Sequence, residues 1–198
     1  MKNLVSLLLI ATLCVTLAGC GDNGNGEPVT EADIYDEMHD AFFATIATLC
    51  GETFSGASTF PDNPDHPLVG TELRTHISSC DEKVIRIDLY RDLDTWHGTW
   101  VLELRDEGLH LYHDHLGDVR TEEDLGDGDY TGYGGYADDR GTAFRQYFPA
   151  DDVTGDIIPE AVTNVWMIEI DPETETFIYY LERHDEPRFR AELTRDQN

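Results

Sequence analysis

The sequence predicts a mainly β protein, in which one N-terminal α-helix precedes an antiparallel meander β-barrel of about nine strands. Three observations predict this fold. Apolar residues recur every three or four positions up to Leu49, and from about residue 52 they alternate with polar residues. The connecting segments are short and rich in turn residues, so neighbouring strands should be antiparallel. Closing the sheet, fully or nearly so, removes the edges that an open sheet would expose.

The composition limits the class of protein. The chain has 198 residues, with 41 Asp and Glu against 13 Lys and Arg, and its formal net charge is -28. Such a chain lacks the basic surface that a general nucleic-acid binder needs to neutralise phosphates. Hydrophobic residues make up 40% of the chain, which is enough for one core, so a single folded domain is predicted for residues 30–198.

The first nineteen residues have the pattern of a secretory signal peptide. Lys2 supplies a positive start, and the apolar run from Leu4 to Leu17 carries no charge and ends at small residues before Cys20. The run is shorter than the roughly 18 to 20 apolar residues that cross a bilayer. A permanent transmembrane helix is therefore not predicted.

Leu17-Ala18-Gly19-Cys20 resembles the lipobox of bacterial lipoprotein precursors. The resemblance implies that Cys20 carries lipid, such as palmitate, and becomes the new N-terminus, so that the lipid attaches the protein to a membrane. Because Gly21 rather than Asp follows Cys20, the resemblance implies the outer membrane, facing the periplasm. Residues 20–29 are rich in Gly, Asn and Asp and are predicted to form a flexible tether. The alternative is an ordinary cleaved signal peptide with an incidental cysteine.

Two cysteines, Cys50 and Cys80, remain in the predicted domain after Cys14 leaves with the signal peptide and Cys20 takes lipid. An even pair in an oxidising compartment predicts a disulfide. The alternatives are two buried free thiols or half of a metal site.

The predicted helix begins near Thr30, where Thr30 and Asp33 form a variant capping box, and ends at Gly51, whose left-handed conformation can cap it. A short second helix is predicted between residues 150 and 161. The predicted strands cover residues 52–58, 70–78, 83–91, 98–105, 109–115, 141–148, 163–170, 175–182 and 187–194.

The densest group of potential ligands is His113-Asp114-His115. A turn at residues 105–108 would pair Trp100 with His113, and a slip of one residue would scatter the apolar side chains. In this register His113 and His115 point into the barrel. Two imidazoles two residues apart can contact a ligand or share a metal ion, but the sequence identifies no third ligand. The alternative is that hydrogen-bonded His113 closes the core while His115 lies at the strand end.

An acidic, glycine-containing segment partly matches a calcium-binding loop. The candidate ligands are Asp127, Asp129, Thr131 and Asp138. Asp138 is shorter than the Glu that usually occupies the last position, so a solvated acidic loop is the alternative. Calcium is the only cofactor that the sequence suggests.

Three segments of the domain are similar to a group of uncharacterised secreted proteins and lipoproteins of Gram-negative bacteria. They are residues 50–56, Leu111–His115 and Thr163–Trp166. The likeness implies no activity. Trp166 is a candidate ligand-binding residue at a pocket, and the alternative is a buried core aromatic.

No motif for a common hydrolase, redox, zinc-protease or nucleotide-binding reaction is present, which favours a protein that is not an enzyme. The leading hypothesis is a monomeric envelope lipoprotein whose lipocalin-like or calycin-like barrel binds a small apolar or amphipathic molecule. Because some enzymes lack motifs, a metal-dependent enzyme that uses His113 and His115 stays open. The third hypothesis is a non-catalytic envelope scaffold.

Overall fold

The computed structural model describes residues 31–61, 66–118, 120–126 and 129–197. Within them, ten strands form one antiparallel sheet in the order β6-β5-β4-β3-β2-β1-β10-β9-β8-β7. The strands are β1 (Thr53–Phe60), β2 (Glu72–Cys80), β3 (Val84–Arg91), β4 (Thr95–Arg105), β5 (Gly108–Asp114), β6 (Tyr133–Tyr136), β7 (Arg145–Pro149), β8 (Asn164–Asp171), β9 (Thr176–Arg183) and β10 (Glu186–Arg195). The predicted signal peptide, Cys20 and the tether lie outside the described residues.

The sheet curls into a nearly closed barrel, which confirms the predicted fold class with ten strands in place of nine. Its outermost strands, β6 and β7, meet without a regular ladder. The Asp138 amide donates to the Tyr147 carbonyl at 2.9 Å, and the Asp151 amide donates to the Gly134 carbonyl at 3.0 Å. Helix α2 (Asp152–Ile157) packs beside this seam, where the Thr154 hydroxyl bonds the backbone of Gly134. The predicted short second helix is therefore confirmed.

Strand β6 is the strand that the sequence did not predict. Its sequence, Tyr133-Gly134-Gly135-Tyr136, has no alternation of polar and apolar side chains. The structure shows why glycine stands there. A Cβ atom on Gly134 would lie 1.8 Å from the Leu111 carbonyl oxygen, and one on Gly135 would lie 1.8 Å from the Pro149 carbonyl oxygen. The two glycines thus let β6 fit between β5 and the end of β7.

The predicted N-terminal helix is confirmed as α1 (Glu31–Ala47), which packs against one end of the barrel. Phe42 and Ile46 are fully buried in the core from this helix. The ring of His39 reaches the Asp138 carbonyl, beyond the last residue of β6. The chain then turns through Gly51, whose φ of 86° is the left-handed conformation that the sequence predicted.

The predicted disulfide between Cys50 and Cys80 is present. It joins the segment after α1 to the last residue of β2, and so fixes the helix to the end of the barrel that it covers. The Gly51 amide next to the bridge donates to the Ile77 carbonyl at 2.8 Å. The helix is therefore attached to β2 by both a covalent bond and the backbone.

Replacing both cysteines with serine should lower the free energy of unfolding by about 3 kcal/mol, because the bridge closes a loop with a sequence separation of 30 residues. Urea unfolding of the variant and of the wild type measures the difference. Reduced wild type should lose a similar amount. A loss below about 1 kcal/mol in both samples would show that the bridge contributes little to stability.

Side chains fill the half of the barrel next to α1. Strands β4 and β5 have the predicted register, with Leu104 opposite Leu109, Leu102 opposite Leu111, and Trp100 opposite His113. The alternating residues of the other strands also face inward and are fully buried, including Leu73, Ile77, Ile85, Ile87, Ile168, Ile170 and Phe177. A cavity lies toward the opposite end of the barrel, and we call that end the mouth.

Candidate ligand-binding site

A cavity of about 190 Å³ lies at the mouth. Its walls come from the last residues of β3, β5 and β9, the first residues of β4, β6 and β10, and the connection between β1 and β2. Most of the lining side chains are aromatic, imidazole or aliphatic, namely Trp100, Tyr133, Tyr179, Phe189, His66, His97, His113, His115, Leu68, Leu89 and Leu181. No carboxylate of the described residues lines the cavity, although the chain carries 41 acidic residues.

The floor of the cavity is a group of stacked rings. Trp100 stacks on Tyr179 with the ring centroids 4.3 Å apart, and on Phe177 at 5.8 Å. Both partners face inward from β9, because they alternate along that strand. Offset stacking of this kind adds to the stabilisation from burial. The floor is therefore apolar and closely packed, and it separates the cavity from the filled half of the barrel.

His113 faces the interior, as predicted, and its side chain is buried with 5% of its surface exposed. Its Nδ1 lies 3.1 Å from the Tyr133 carbonyl oxygen, and its Nε2 lies 2.9 Å from the Tyr179 hydroxyl. A carbonyl only accepts, so Nδ1 carries the proton and donates, and the Tyr179 hydroxyl donates to Nε2. Both ring nitrogens are thus satisfied by the protein.

His115 lies nearer the mouth and has the same hydrogen-bonding pattern. Its Nδ1 donates to the His97 carbonyl at 3.0 Å, and its Nε2 accepts from the Tyr133 hydroxyl at 3.1 Å. Gly98 makes room for the ring, because a Cβ atom there would lie 2.8 Å from Nδ1 of His115. The two predicted histidines therefore line the same cavity, and each imidazole ring is held in place by the hydroxyl of a tyrosine.

His97 enters the site because of a β-bulge. Leu89 of β3 pairs with Gly98, but the next residue, Tyr90, pairs with Trp96, so His97 is an extra residue in β4. A bulge of this kind redirects a side chain that regular alternation would place elsewhere. The ring of His97 meets that of His115 edge to face, with centroids 5.5 Å apart.

His97 and His113, which line the cavity, are neutral near pH 7. Burial, reinforced by the neighbouring His115, lowers the pKa of His113 to about 3 and that of His97 to about 4. Burial also lowers the pKa of His66. For the same reason burial raises the pKa of Tyr133 to about 12. The rings of His97, His113 and Tyr133 are thus uncharged near pH 7.

Trp166, the third predicted binding residue, does not line the cavity. It is 1% exposed and lies behind His113, with the ring centroids 5.1 Å apart. Its ring also packs against that of Tyr133, with the ring centroids 5.8 Å apart. The structure therefore places Trp166 as a core aromatic that supports two lining residues, which is the alternative that the sequence left open.

The structure does not bring the described members of the predicted calcium loop together. Thr131 precedes β6 and accepts a hydrogen bond from the His115 amide, whereas Asp138 follows β6 at the other end of the barrel. The Asp138 carboxylate accepts from Arg140 Nε at 2.8 Å, and Asp129 accepts from a backbone amide. Asp127 lies outside the described residues. The intervening strand thus corrects the prediction of a single loop through Thr131 and Asp138.

Nor does the arrangement favour a metal ion on the two predicted histidines. A metal would need the Nε2 lone pairs of His113 and His115, which already accept from Tyr179 and Tyr133. Throughout the described ranges, no three His, Cys, Asp or Glu residues are placed to hold a metal ion.

Several lining residues were not identified from the sequence. Tyr179 and Leu181 could have been found, because they continue the inward-facing series of predicted strand β9. Tyr133 could not have been found, because the residues of β6 show no alternation of polar and apolar side chains. His97 follows a bulge, and His66 lies in the connection between β1 and β2, where it stacks on Phe189 at 5.0 Å.

No helix among the described residues is long and apolar enough to cross a membrane. Comparisons with protein families, with curated proteins and with solved structures find no match to this chain.

Proposed function

We propose that this protein is a lipid-anchored protein of the cell envelope whose barrel binds a small apolar or amphipathic molecule at its mouth. The observation that carries the proposal is the cavity of about 190 Å³, whose described walls are mainly aromatic, imidazole and aliphatic and include no carboxylate. Binding sites for small molecules are typically concave and apolar, with a few polar groups. The Tyr133 hydroxyl and the His97 ring supply such groups here.

The size of the cavity limits the ligand. An engineered cavity of about 150 Å³ in another protein holds benzene, so a cavity slightly larger fits roughly six to eight carbon atoms. Leu181 and Phe189 lie at its outer edge and also line the neighbouring groove, so a longer molecule would extend outward between them. The ligand is therefore a single ring or a short chain, or the end of a longer one.

The lipid anchor is the second part of the proposal. It rests on the lipobox-like Leu17-Ala18-Gly19-Cys20 that ends the apolar run. Cys20→Ser should leave the protein in the soluble envelope fraction or unprocessed, while the wild type sediments with membranes. Mass spectrometry of the mature N-terminal peptide shows directly whether Cys20 carries lipid. An unlipidated wild-type N-terminus would contradict this part and leave the binding proposal intact.

Calorimetric titration with octanol tests the binding proposal. Octanol is uncharged, and its chain has about the length that the cavity accepts. We expect saturable binding to the purified protein. Leu181→Trp should fill the cavity and weaken binding at least about tenfold, because the added ring occupies the space of the chain.

Ile178→Trp is the matched control, since Ile178 lies on the outer face of the same strand and lines a different groove. It should leave the affinity for octanol unchanged. Thermal melting of both variants checks that they fold. If the wild type binds neither octanol nor an amphiphile with the same chain and a charged head group, the carrier function is rejected and a non-catalytic scaffold is favoured.

A further inference from the structure

The cavity at the mouth continues into an open groove. The groove measures about 420 Å³ and shares His66, Leu181 and Phe189 with the cavity. Phe60 and the prolines 61 and 187 complete its apolar part, and the two cations Arg183 and Arg188 lie along it. A molecule held in the cavity would therefore leave it past Phe189 and reach two guanidinium groups.

Arg183 is the last member of an inward-facing series on β9. Phe177 is fully buried, Tyr179 is buried at the cavity floor, and Leu181 is half-buried at its edge. Arg183 follows at the mouth with the same alternation. Its Nε donates to the Asn164 side-chain oxygen at 2.7 Å, which holds the guanidinium in position. The wall thus changes from apolar to cationic along the path from the core to the surface.

Arg188 reaches the same groove through a β-bulge. Pro187 of β10 pairs with Glu182, and Phe189 pairs with Leu181, so Arg188 is the extra residue between them. The bulge keeps Phe189 facing the cavity and leaves Arg188 exposed beside the groove. Within the part of the chain that the structure describes, its side chain has no hydrogen bond or ion pair.

Within the described residues, neither Arg183 nor Arg188 forms an ion pair with a carboxylate, although the chain has 41 acidic residues. Of the nine other arginines, six form ion pairs with carboxylates, namely Arg86, Arg105, Arg140, Arg145, Arg190 and Arg195. Asp185 and Glu186 lie in the turn between Arg183 and Arg188, but neither forms an ion pair with them in the described structure. No described carboxylate lines the groove.

We infer that the ligand is an anionic amphiphile, whose apolar chain occupies the cavity and whose negatively charged head group contacts Arg183 and Arg188 in the groove. This inference rests on the proposed function and names its ligand class. Guanidinium groups bind carboxylates and phosphates through charge-assisted hydrogen bonds. The other charged residues of the chain are mostly acidic and repel anions. Selectivity for an anionic head group over a neutral one must therefore come from Arg183 and Arg188.

Titration with octanol, octanoate and octyl phosphate tests the inference, because the three probes share a chain and differ in the head group. We expect at least one anionic probe to bind about tenfold more tightly than octanol at low salt, and to lose this advantage at high salt. The tighter of the two anions identifies the head group. Equal affinity for all three probes would overturn the inference and leave the proposed function standing.

Arg188→Gln should remove most of the advantage of the anionic probe, about tenfold, and leave octanol binding unchanged. Arg188 is exposed, so the variant should fold. Arg190→Gln is the matched control, because it removes the same charge two residues away, where Arg190 pairs with Glu192 at 2.7 Å. An equal effect of both variants, or no effect of Arg188→Gln, would overturn the inference. Failure of all three probes to bind would reject the proposed function itself.

Discussion

Acidifying the protein from neutral pH to about pH 4 should lower its free energy of unfolding by about 3 kcal/mol through His113 alone. Burial lowers the pKa of His113 to about 3 in the folded protein, against 6.5 as its ordinary value. Below that ordinary value the unfolded chain therefore binds a proton that the folded protein does not. The stabilising contribution is complete above pH 6.5 and is lost progressively as the pH falls toward 3.

The environment of His113 explains the size of the effect. The ring lies between Tyr133, stacked at 4.5 Å, and Trp166 at 5.1 Å, and no described carboxylate contacts it. A proton on Nε2 would bring a positive charge into this apolar space and remove the acceptor that the Tyr179 hydroxyl uses. While the ring stays neutral in the folded protein, each unit by which the pH falls below 6.5 lowers the free energy of unfolding by about 1.4 kcal/mol.

Urea unfolding at the two pH values measures the prediction. Other groups also titrate in this range, so the comparison that isolates His113 is with His113→Gln, whose side chain carries no charge at either pH. The loss of stability on acidification should be about 3 kcal/mol smaller in this variant. His184→Gln removes an exposed imidazole and should keep the wild-type loss. Identical losses in the wild type and His113→Gln would contradict the assignment.

Regular alternation explains why most of the barrel could be predicted. A strand with one buried face has only one register that buries its apolar residues, so Leu102 and Leu111 fixed the pairing that placed Trp100 opposite His113. The same reasoning predicted that His113 faces inward. Local signals also located the helix, since Phe42 and Ile46 recur at its period and Gly51 follows it.

The remainder of the site depends on contacts between distant segments, which periodicity does not report. Strand β6 exists because Gly134 and Gly135 allow close backbone approach, and it brings Tyr133 to the cavity. Bulges place His97 and Arg188, because one extra residue changes the face on which a side chain lies. Neither a bulge nor a close backbone contact produces the alternation of polar and apolar residues by which a strand is recognised in a sequence.

The structure separates two residues of the predicted calcium loop for a related reason. The spacing of Thr131 and Asp138 along the chain suits a calcium loop only if residues 127–138 form a single turn. Pairing with β5 instead extends residues 133–136 as a strand, which moves Asp138 toward α1 and leaves Thr131 at the mouth. A tertiary contact therefore separated residues whose local spacing suggested a common ligand.

Trp100→Ala should lower the free energy of unfolding by about 4 kcal/mol, because it removes a large buried ring and leaves a cavity. Trp100 is 4% exposed and stacks on Phe177 and Tyr179. Urea unfolding measures the loss. Trp96→Ala is the matched control, since Trp96 is only half-buried and lies on the outer face under the Arg120 guanidinium. The free energy of unfolding should fall in Trp96→Ala by less than half of the fall in Trp100→Ala.

The same variant tests the position of the ligand, because Trp100 separates the cavity at the mouth from the filled half of the barrel. Removing its ring should let a longer chain descend, so decanol should gain affinity relative to octanol by up to about 0.8 kcal/mol for each added methylene that becomes buried. Trp96→Ala should leave the ratio of the two affinities unchanged. If Trp100→Ala does not fold, Trp100→Phe should show a smaller shift in the same direction. An unchanged ratio in a folded Trp100 variant would mean that the chain does not end against this ring, and would contradict the placement of the ligand in the cavity.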